Sequence, residues 1–233
     1  TDQGWQDQFF GDPTYVFTPQ ELLDYAKDLP VSFAPGDGWE YSNTNYVIFG
    51  MIIEQLTGQA IADVYQERIF GPLGMDSTSF PAGSAALPSP HLAGITEQGQ
   101  PDGEIAVATD WSPSGAFTAG EVISTLDDLE KWGHALFTGE GILTPQMQQL
   151  RRDSILTSPP PNTATAGYGI ALGNRNGWWG HTGEIPGYNT ALFHNYESET
   201  TIIVVVNSDI PLPDDGGNPA PAVQAALIAA LGL

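Results

Sequence analysis

Two tripeptides in this 233-residue chain carry proton-transfer and hydrogen-bonding groups in settings from which a fold could aim them at a ligand. Tyr41-Ser42-Asn43 follows the tight-turn signal Pro35-Gly-Asp-Gly38 and precedes a strongly apolar run. A phenol held rigidly there can accept and relay a proton if cations nearby lower its pKa, and the Asn amide can hold a substrate carbonyl. The plainer use of the same residues makes Asn43 a helix N-cap and Tyr41 an amphipathic core residue. His181-Thr182-Gly183 lies far downstream, between Trp178-Trp179-Gly180 and Glu184-Ile-Pro-Gly187. A glycine on a strand lets a ligand approach the backbone closely. An edge strand offers free N–H groups to a peptide-like ligand or an oxyanion. A lone histidine at a strand end is the plain alternative, and neither tripeptide by itself decides between its two readings.

The elements that must carry these residues follow from the residue pattern. Thr18-Pro-Gln-Glu21 is a capping box for a helix bearing Leu22, Leu23, Ala26 and Leu29, stopped by Pro30. The run from Asn45 to Thr57 is apolar almost all round, which predicts a buried helix ending at Gly58. Another helix is expected over 60–70, ended by Gly71-Pro72. Residues 81–104, rich in Pro, Gly, Ser and Ala, read as a functional lip or an irregular surface excursion. Thr125-Leu-Asp-Asp128 and Thr144-Pro145 start two further helices, the first carrying Leu129, Trp132 and Leu136. From Tyr168 the period changes to two, predicting strands over 168–172, 178–182, 188–194 and 200–207. Asn218-Pro219 caps a final Ala/Leu helix to Leu231. The chain therefore reads as one continuous α+β fold. A mainly helical region over 1–124 carries the first tripeptide, and an α/β region over 125–233 has an antiparallel sheet, the second tripeptide and a C-terminal helix.

Composition limits the partners. With 28 acidic and 6 basic residues the net charge is −22, which repels phosphate backbones and anionic lipid and excludes nucleic acid as a partner. Solubility, in a saline or acidic setting, accounts for this acidity better than cation binding does. The absence of cysteine removes disulfides, thiolate catalysis and cysteine-ligated zinc, and nothing in the sequence calls for a metal or a cofactor. No apolar run is long enough to span a bilayer, since Thr201-Ile-Ile-Val-Val-Val206 is soon closed by Asn207-Ser-Asp209.

The run from Pro35 through Tyr41-Ser-Asn43 to Gly58 resembles the second motif of the serine β-lactamase-like, penicillin-recognising family. That family includes D-alanyl-D-alanine carboxypeptidases, class C β-lactamases, esterases and D-aminopeptidases. Further similar pieces come in the family's order: Ile69-Phe-Gly-Pro-Leu-Gly-Met75 with Thr78, Ala119-Gly120 to Ser124-Thr125, Tyr168-Gly169, and His181-Thr182-Gly183 with Gly187. The resemblance covers nearly everything from Phe17 to Asp209 and implies the β-lactamase/DD-peptidase fold.

The family's first motif, Ser-x-x-Lys, is absent from the sequence. The two lysines, Lys27 and Lys131, are preceded three positions earlier by Asp24 and Asp128. The resemblance thus implies a C-terminal portion, inactive alone, whose acylated serine comes from an upstream segment. The alternative is a non-catalytic binding or regulatory homologue that keeps the cleft without the nucleophile.

On this resemblance Tyr41 shuttles the serine proton to the leaving group, and Asn43 holds the acyl-side amide. Thr182 and Gly183 line the substrate strand, and Glu184 gives a backbone N–H to the oxyanion hole. His181 stands where most β-lactamases carry Lys, as in certain DD-peptidases and D-aminopeptidases. An imidazole titrates near neutral pH where an ammonium does not, so recognition of a substrate carboxylate would require an arginine. Arg175 is the candidate for that contact, with a solvated turn residue as its plain reading. The substrates implied are small molecules: D-alanyl peptides, β-lactams or esters. The location implied is secreted or cell-envelope. An amino-terminal fragment or a second copy of the chain is expected to cover the open sheet edge and the apolar faces.

Overall fold

In the computed structural model, which describes residues 2–214 and 216–233, side-chain caps start four of the eight α-helices among the described residues. Asp2 accepts from the Trp5 N–H to open α1 (Gln3–Gly11), an element the sequence reading did not include. Both hydrogen bonds of the expected capping box open α2 (Pro19–Ala26), which ends before Leu29 and Pro30. α3 (Asn43–Thr57) ends on Gly58 in the left-handed conformation at φ 68°. α4 (Ile61–Tyr65) passes through a single π-turn, Gln66–Phe70, into α5 (Gly71–Leu73). Pro72 therefore does not end the helical path as expected, because it sits in the first turn of α5, where its missing N–H costs nothing.

The helical region closes around Phe9, Phe17, Leu22, Val47, Ile61 and Phe117, with Trp5 and Phe9 stacked at 4.9 Å. α3 is not the fully buried helix that its composition predicts. Val47 and Gly50 are buried, yet Phe49, Ile52 and Leu56 are 58, 43 and 81% exposed. The reason is coverage: α3 packs mainly against α2 and the turn at 117–119, which cannot reach round its far side. Gly50 makes the close approach possible, since a Cβ there would lie 2.4 Å from Thr118 Oγ1. The Thr118 hydroxyl donates to the Tyr46 carbonyl at 2.6 Å and fixes the first turn of α3.

The excursion over 81–104 is anchored. It contains β1 (Ile95–Thr96), which pairs antiparallel with β2 (Ala106–Val107). The two helices expected from Thr125 and Thr144 are α6 (Leu126–Thr138) and α7 (Pro145–Asp153). Asp128, 2% exposed, ties α6 to the preceding segment by accepting from Ser77 N, Thr78 Oγ1 and Lys131 Nζ. Burial alone would raise its pKa, but these three donors hold the carboxyl below the ordinary value.

Five antiparallel strands follow in spatial order: β3 (Ala166–Tyr168), β4 (Gly173–Arg175), β5 (Trp178–Ile185), β6 (Tyr188–Asn195) and β7 (Thr200–Val206). The single strand expected over 168–172 is instead the end of β3 and a reversal, with Ala171 at φ 49°. Asn176-Gly177, at φ 51° and 84°, then turns β4 into β5, the primed hairpin chemistry of an Asn-Gly pair. α8 (Pro219–Leu231) covers one face of the sheet over Trp178, Ala191, Phe193, Ile202 and Val204. Leu192 on the other face packs with Leu136 and Phe137 of α6.

Candidate functional site

β4 is shorter than β5, and that difference exposes the second tripeptide. β4 pairs only with Trp178, Trp179 and Gly180, whereas β6 pairs along the whole of β5. From His181 to Ile185, therefore, no strand among the described residues pairs with the outer edge of β5. The edge expected from the sequence exists over half the strand.

Strand alternation then sorts the side chains. His181 and Gly183 share a face with Leu192 and Thr190, which line a cleft of about 1790 Å³ between sheet and helices. Thr182 and Glu184 are in register with Ala191 and Asn189 on the face that α8 covers; Glu184 still reaches the cleft at the open edge, whereas Thr182 does not line it. Gly183 is required sterically, since a Cβ would lie 2.5 Å from Thr190 Oγ1. The backbone here is tied down by Asn189, which is fully buried. Its amide donates to the Gly183 carbonyl at 3.2 Å and accepts from Ala220 N in the first turn of α8 at 2.9 Å.

Tyr41 and Asn43 approach from the helical side. Ser42, not Asn43, occupies the N-cap position of α3 and makes no side-chain cap bond. Asn43 is the first helical residue, exposed on the cleft, and its amide has no hydrogen-bond partner among the described residues. Tyr41 is 43% exposed and is not a core residue. Its ring lies edge-on to Tyr168, with centroids 5.8 Å apart, and 5.9 Å from His181. Burial, then the neighbouring Tyr46, push its pKa above the ordinary phenol value. The cation expected to lower it does not come from the cleft walls. These carry Asp2, Glu40, Asp76, Glu121 and Glu184 but, among the described residues, no Lys or Arg.

Tyr168 joins the two tripeptides. Its hydroxyl is 2.8 Å from His181 Nε2 and 3.4 Å from the Tyr46 hydroxyl, while His181 Nδ1 contacts the Thr182 carbonyl oxygen. Trp39 packs against the same ring at 5.5 Å.

Arg175 is not brought to the cleft. It is exposed on β4 opposite Trp178, about 20 Å of strand away from Glu184 at 3.3 Å per residue. The Glu184 carboxylate is held by Asn218 Nδ2 and by Gln98 Nε2, the latter at 3.3 Å. Asn218 thus sits at the N-cap of α8 without using its side chain as the cap. Gln98 also donates to the buried Asp209, so the 81–104 excursion does form a lip, with Gln98 on the cleft wall. Glu121, 3% exposed, accepts from Gly83 N at 2.6 Å. Burial pushes its pKa up, with that N–H opposing. Among the described residues, no group of three or more His, Cys, Asp or Glu could hold a metal ion.

The family model described as Beta-lactamase matches residues 2–227. The chain belongs to the beta-lactamase family. Within that family it is similar to a D-aminopeptidase from Cereibacter sphaeroides, 28% identical over 188 residues, 76% of this chain and 33% of that protein. It is also similar in structure to a D-stereospecific amidohydrolase from Streptomyces sp., with a TM-score of 0.84 and 26% identity over 98% of this chain and 66% of that one. A D-amino acid amidase from Ochrobactrum anthropi SV3, complexed with L-phenylalanine amide, has a TM-score of 0.77 and 30% identity, covering 94% of this chain and 63% of that one. The beta-lactamase-family fold expected from the sequence is thus the observed one, and the chain spans a third of the D-aminopeptidase it matches.

Sequence reasoning gave no role to Tyr46, Gln98, Glu121 or Asn189. Tyr168-Gly169 stood among the family pieces and was the one available signal for Tyr168. Glu121 lay inside the Ala119 to Thr125 piece without a role of its own, and the others are unremarkable by type and become site residues only through distant contacts.

Proposed function

We propose that this chain forms the Tyr-Ser-Asn and His-Thr-Gly walls of a serine hydrolase that cleaves D-amino-acyl amides and peptides through an acyl-serine intermediate. The observation that carries this reading is the cleft between Tyr41 and the open half-edge of β5, which has carboxylates on its walls and, among the described residues, no Lys or Arg. A substrate ending in a carboxylate, as a D-alanyl-D-alanine peptide or a penicillin does, meets only like charge there. A substrate with a free α-ammonium is attracted, by about 4 kcal/mol for a pair 4 Å apart at an effective dielectric of 20. The names of the relatives, D-aminopeptidase, D-stereospecific amidohydrolase and D-amino acid amidase, support the same substrate class.

In this reading the serine oxygen attacks the substrate carbonyl, and its proton passes through Tyr41 to the departing amine. Water then cleaves the acyl-serine ester to release the D-amino acid. The 233 residues contain no Ser-x-x-Lys, so the complete protein supplies serine and lysine from a preceding segment seated in the cleft. The apolar walls of the cleft, including Leu22, Val47, Leu192 and Ile203, suit such a segment. Tyr41, raised by burial, stays a neutral phenol until a cation of that kind lies beside it. The open edge pairs with the substrate main chain, the free Asn43 amide holds the acyl side, and the Glu184 N–H stabilises the oxyanion, a contact worth about 3–4 kcal/mol.

The test uses the complete protein, fluorophosphonate labelling, and kcat/KM for D-phenylalanine amide against its N-acetyl derivative. Labelling, with about a tenfold or greater preference for the free amine, is expected. Equal or reversed preference ends the amine reading. Failure to label moves the protein to the non-catalytic homologue reading.

A further inference from the structure

The geometry points to Tyr168 as the positioning residue that, together with the Thr182 carbonyl, holds the orientation of His181 and, with the same ring, the seat of Tyr41. His181 makes two polar contacts of different kind. Nδ1 meets the Thr182 carbonyl oxygen, which can only accept a hydrogen bond, so the neutral ring carries its proton on Nδ1. Nε2 is then the unprotonated nitrogen, and it accepts from the Tyr168 hydroxyl at 2.8 Å. That hydroxyl has spent its only hydrogen, so at the 3.4 Å contact the Tyr46 hydroxyl is the donor and Tyr168 the acceptor. The chain of bonds therefore has one direction: from Tyr46 on α3 through Tyr168 on β3 to His181 on β5, and on to the Thr182 carbonyl. Burial, then the Tyr46 hydrogen bond, push the Tyr168 pKa far above the ordinary phenol value, so its donor hydrogen is retained at any working pH.

The ring does a second job. Tyr41 stands edge-on to it at 88°, with centroids 5.8 Å apart, and His181 stands edge-on at 77° and 5.5 Å. Trp39 closes its remaining side. Tyr168 itself has little freedom, because its carbonyl accepts from Leu156 N and β3 passes so close that a Cβ on Gly167 would lie 2.5 Å from the Leu156 carbonyl. With both nitrogens engaged, neutral His181 does not stand in for the lysine ammonium of most β-lactamases. It holds the start of the open half-edge in place, and its orientation depends on a residue from the neighbouring hairpin. The groups facing it are Tyr168, Tyr41 and its own strand's carbonyl, with Tyr46 behind Tyr168.

The catalytic importance of this arrangement rests on the hydrolase reading, but the tautomer does not, so a spectrum can test it apart from any turnover. The protein is labelled with ¹⁵N-histidine, and the His181 signals are assigned by their loss in His181→Gln. Spectra are recorded at mildly alkaline pH, where an imidazole is neutral. The expected result is a single tautomer with hydrogen on Nδ1 and an Nε2 signal displaced by the bond it accepts from Tyr168; in Tyr168→Phe the Thr182 carbonyl keeps the hydrogen on Nδ1 while the Nε2 signal moves to that of an unbonded ring nitrogen. A parent spectrum with hydrogen on Nε2, or nitrogen shifts unchanged in Tyr168→Phe, overturns the assignment. If Tyr168→Phe does not fold, the parent spectrum decides alone: hydrogen on Nδ1 with a hydrogen-bonded Nε2 keeps the assignment, and hydrogen on Nε2 or an unbonded Nε2 ends it.

Discussion

The two walls of the cleft are held in opposite ways. On the helical side, neither the Tyr41 hydroxyl nor the Asn43 amide has a hydrogen-bond partner among the described residues, and both side chains are exposed. On the sheet side both nitrogens of His181 are engaged, and the Gly183 carbonyl is fixed by a fully buried asparagine. Polar groups left open on a rigid helix start are available to a substrate or a neighbouring segment. Those already satisfied set the geometry against which that partner is read. The contrast separates residues suited to chemistry from residues suited to positioning, although the sequence presents both tripeptides as equals.

The strongest way to break this contrast is Tyr41→Phe in the complete protein. Removing a positioned acid/base group should lower the rate of serine acylation about a hundredfold or more, with little change in melting temperature. Acylation by a fluorescent substrate at the parental rate would falsify a proton-relay role and leave Tyr41 as a cleft wall.

Two asparagines sharpen it further, one from each wall. Asn189→Ala strips partners from a half-buried carbonyl and a buried N–H, so urea unfolding should show a loss of about 1–3 kcal/mol. A variant as stable as the parent would mean that the end of β5 is anchored elsewhere. Asn43→Ala removes an amide with no native partner and should leave stability within about 0.5 kcal/mol of the parent, while weakening substrate binding. A clear drop in stability would show that the amide already serves the fold, and the two walls would no longer differ.

Much of the fold was legible because it rests on local rules. The capping box at Thr18, the starts at Thr125 and Thr144, the glycine stop at Gly58 and the alternation over β5 to β7 each need only a few neighbouring residues. β3 and β4 were missed as a hairpin, although Asn176-Gly177 announces the turn from β4 into β5, since both strands are three residues long and too short to show alternation. The burial of α3 was misjudged for a different reason. Composition records that Phe49, Ile52 and Leu56 are apolar, but exposure depends on which elements reach that side.

By itself the sequence determined the helix starts, the strand period, the acidic balance and the two tripeptides, all of which are properties of residue type and short spacing. It also held the family resemblance that the match over residues 2–227 bears out. Only the tertiary structure decided that β4 stops short and leaves His181–Ile185 an open edge, and that Arg175 lies away from the cleft. It alone brought Tyr168 between Tyr41 and His181, residues 127 and 13 positions from it in the chain. Strand register and helix packing set those distances, and both are fixed by contacts between segments far apart in sequence, which no local pattern records.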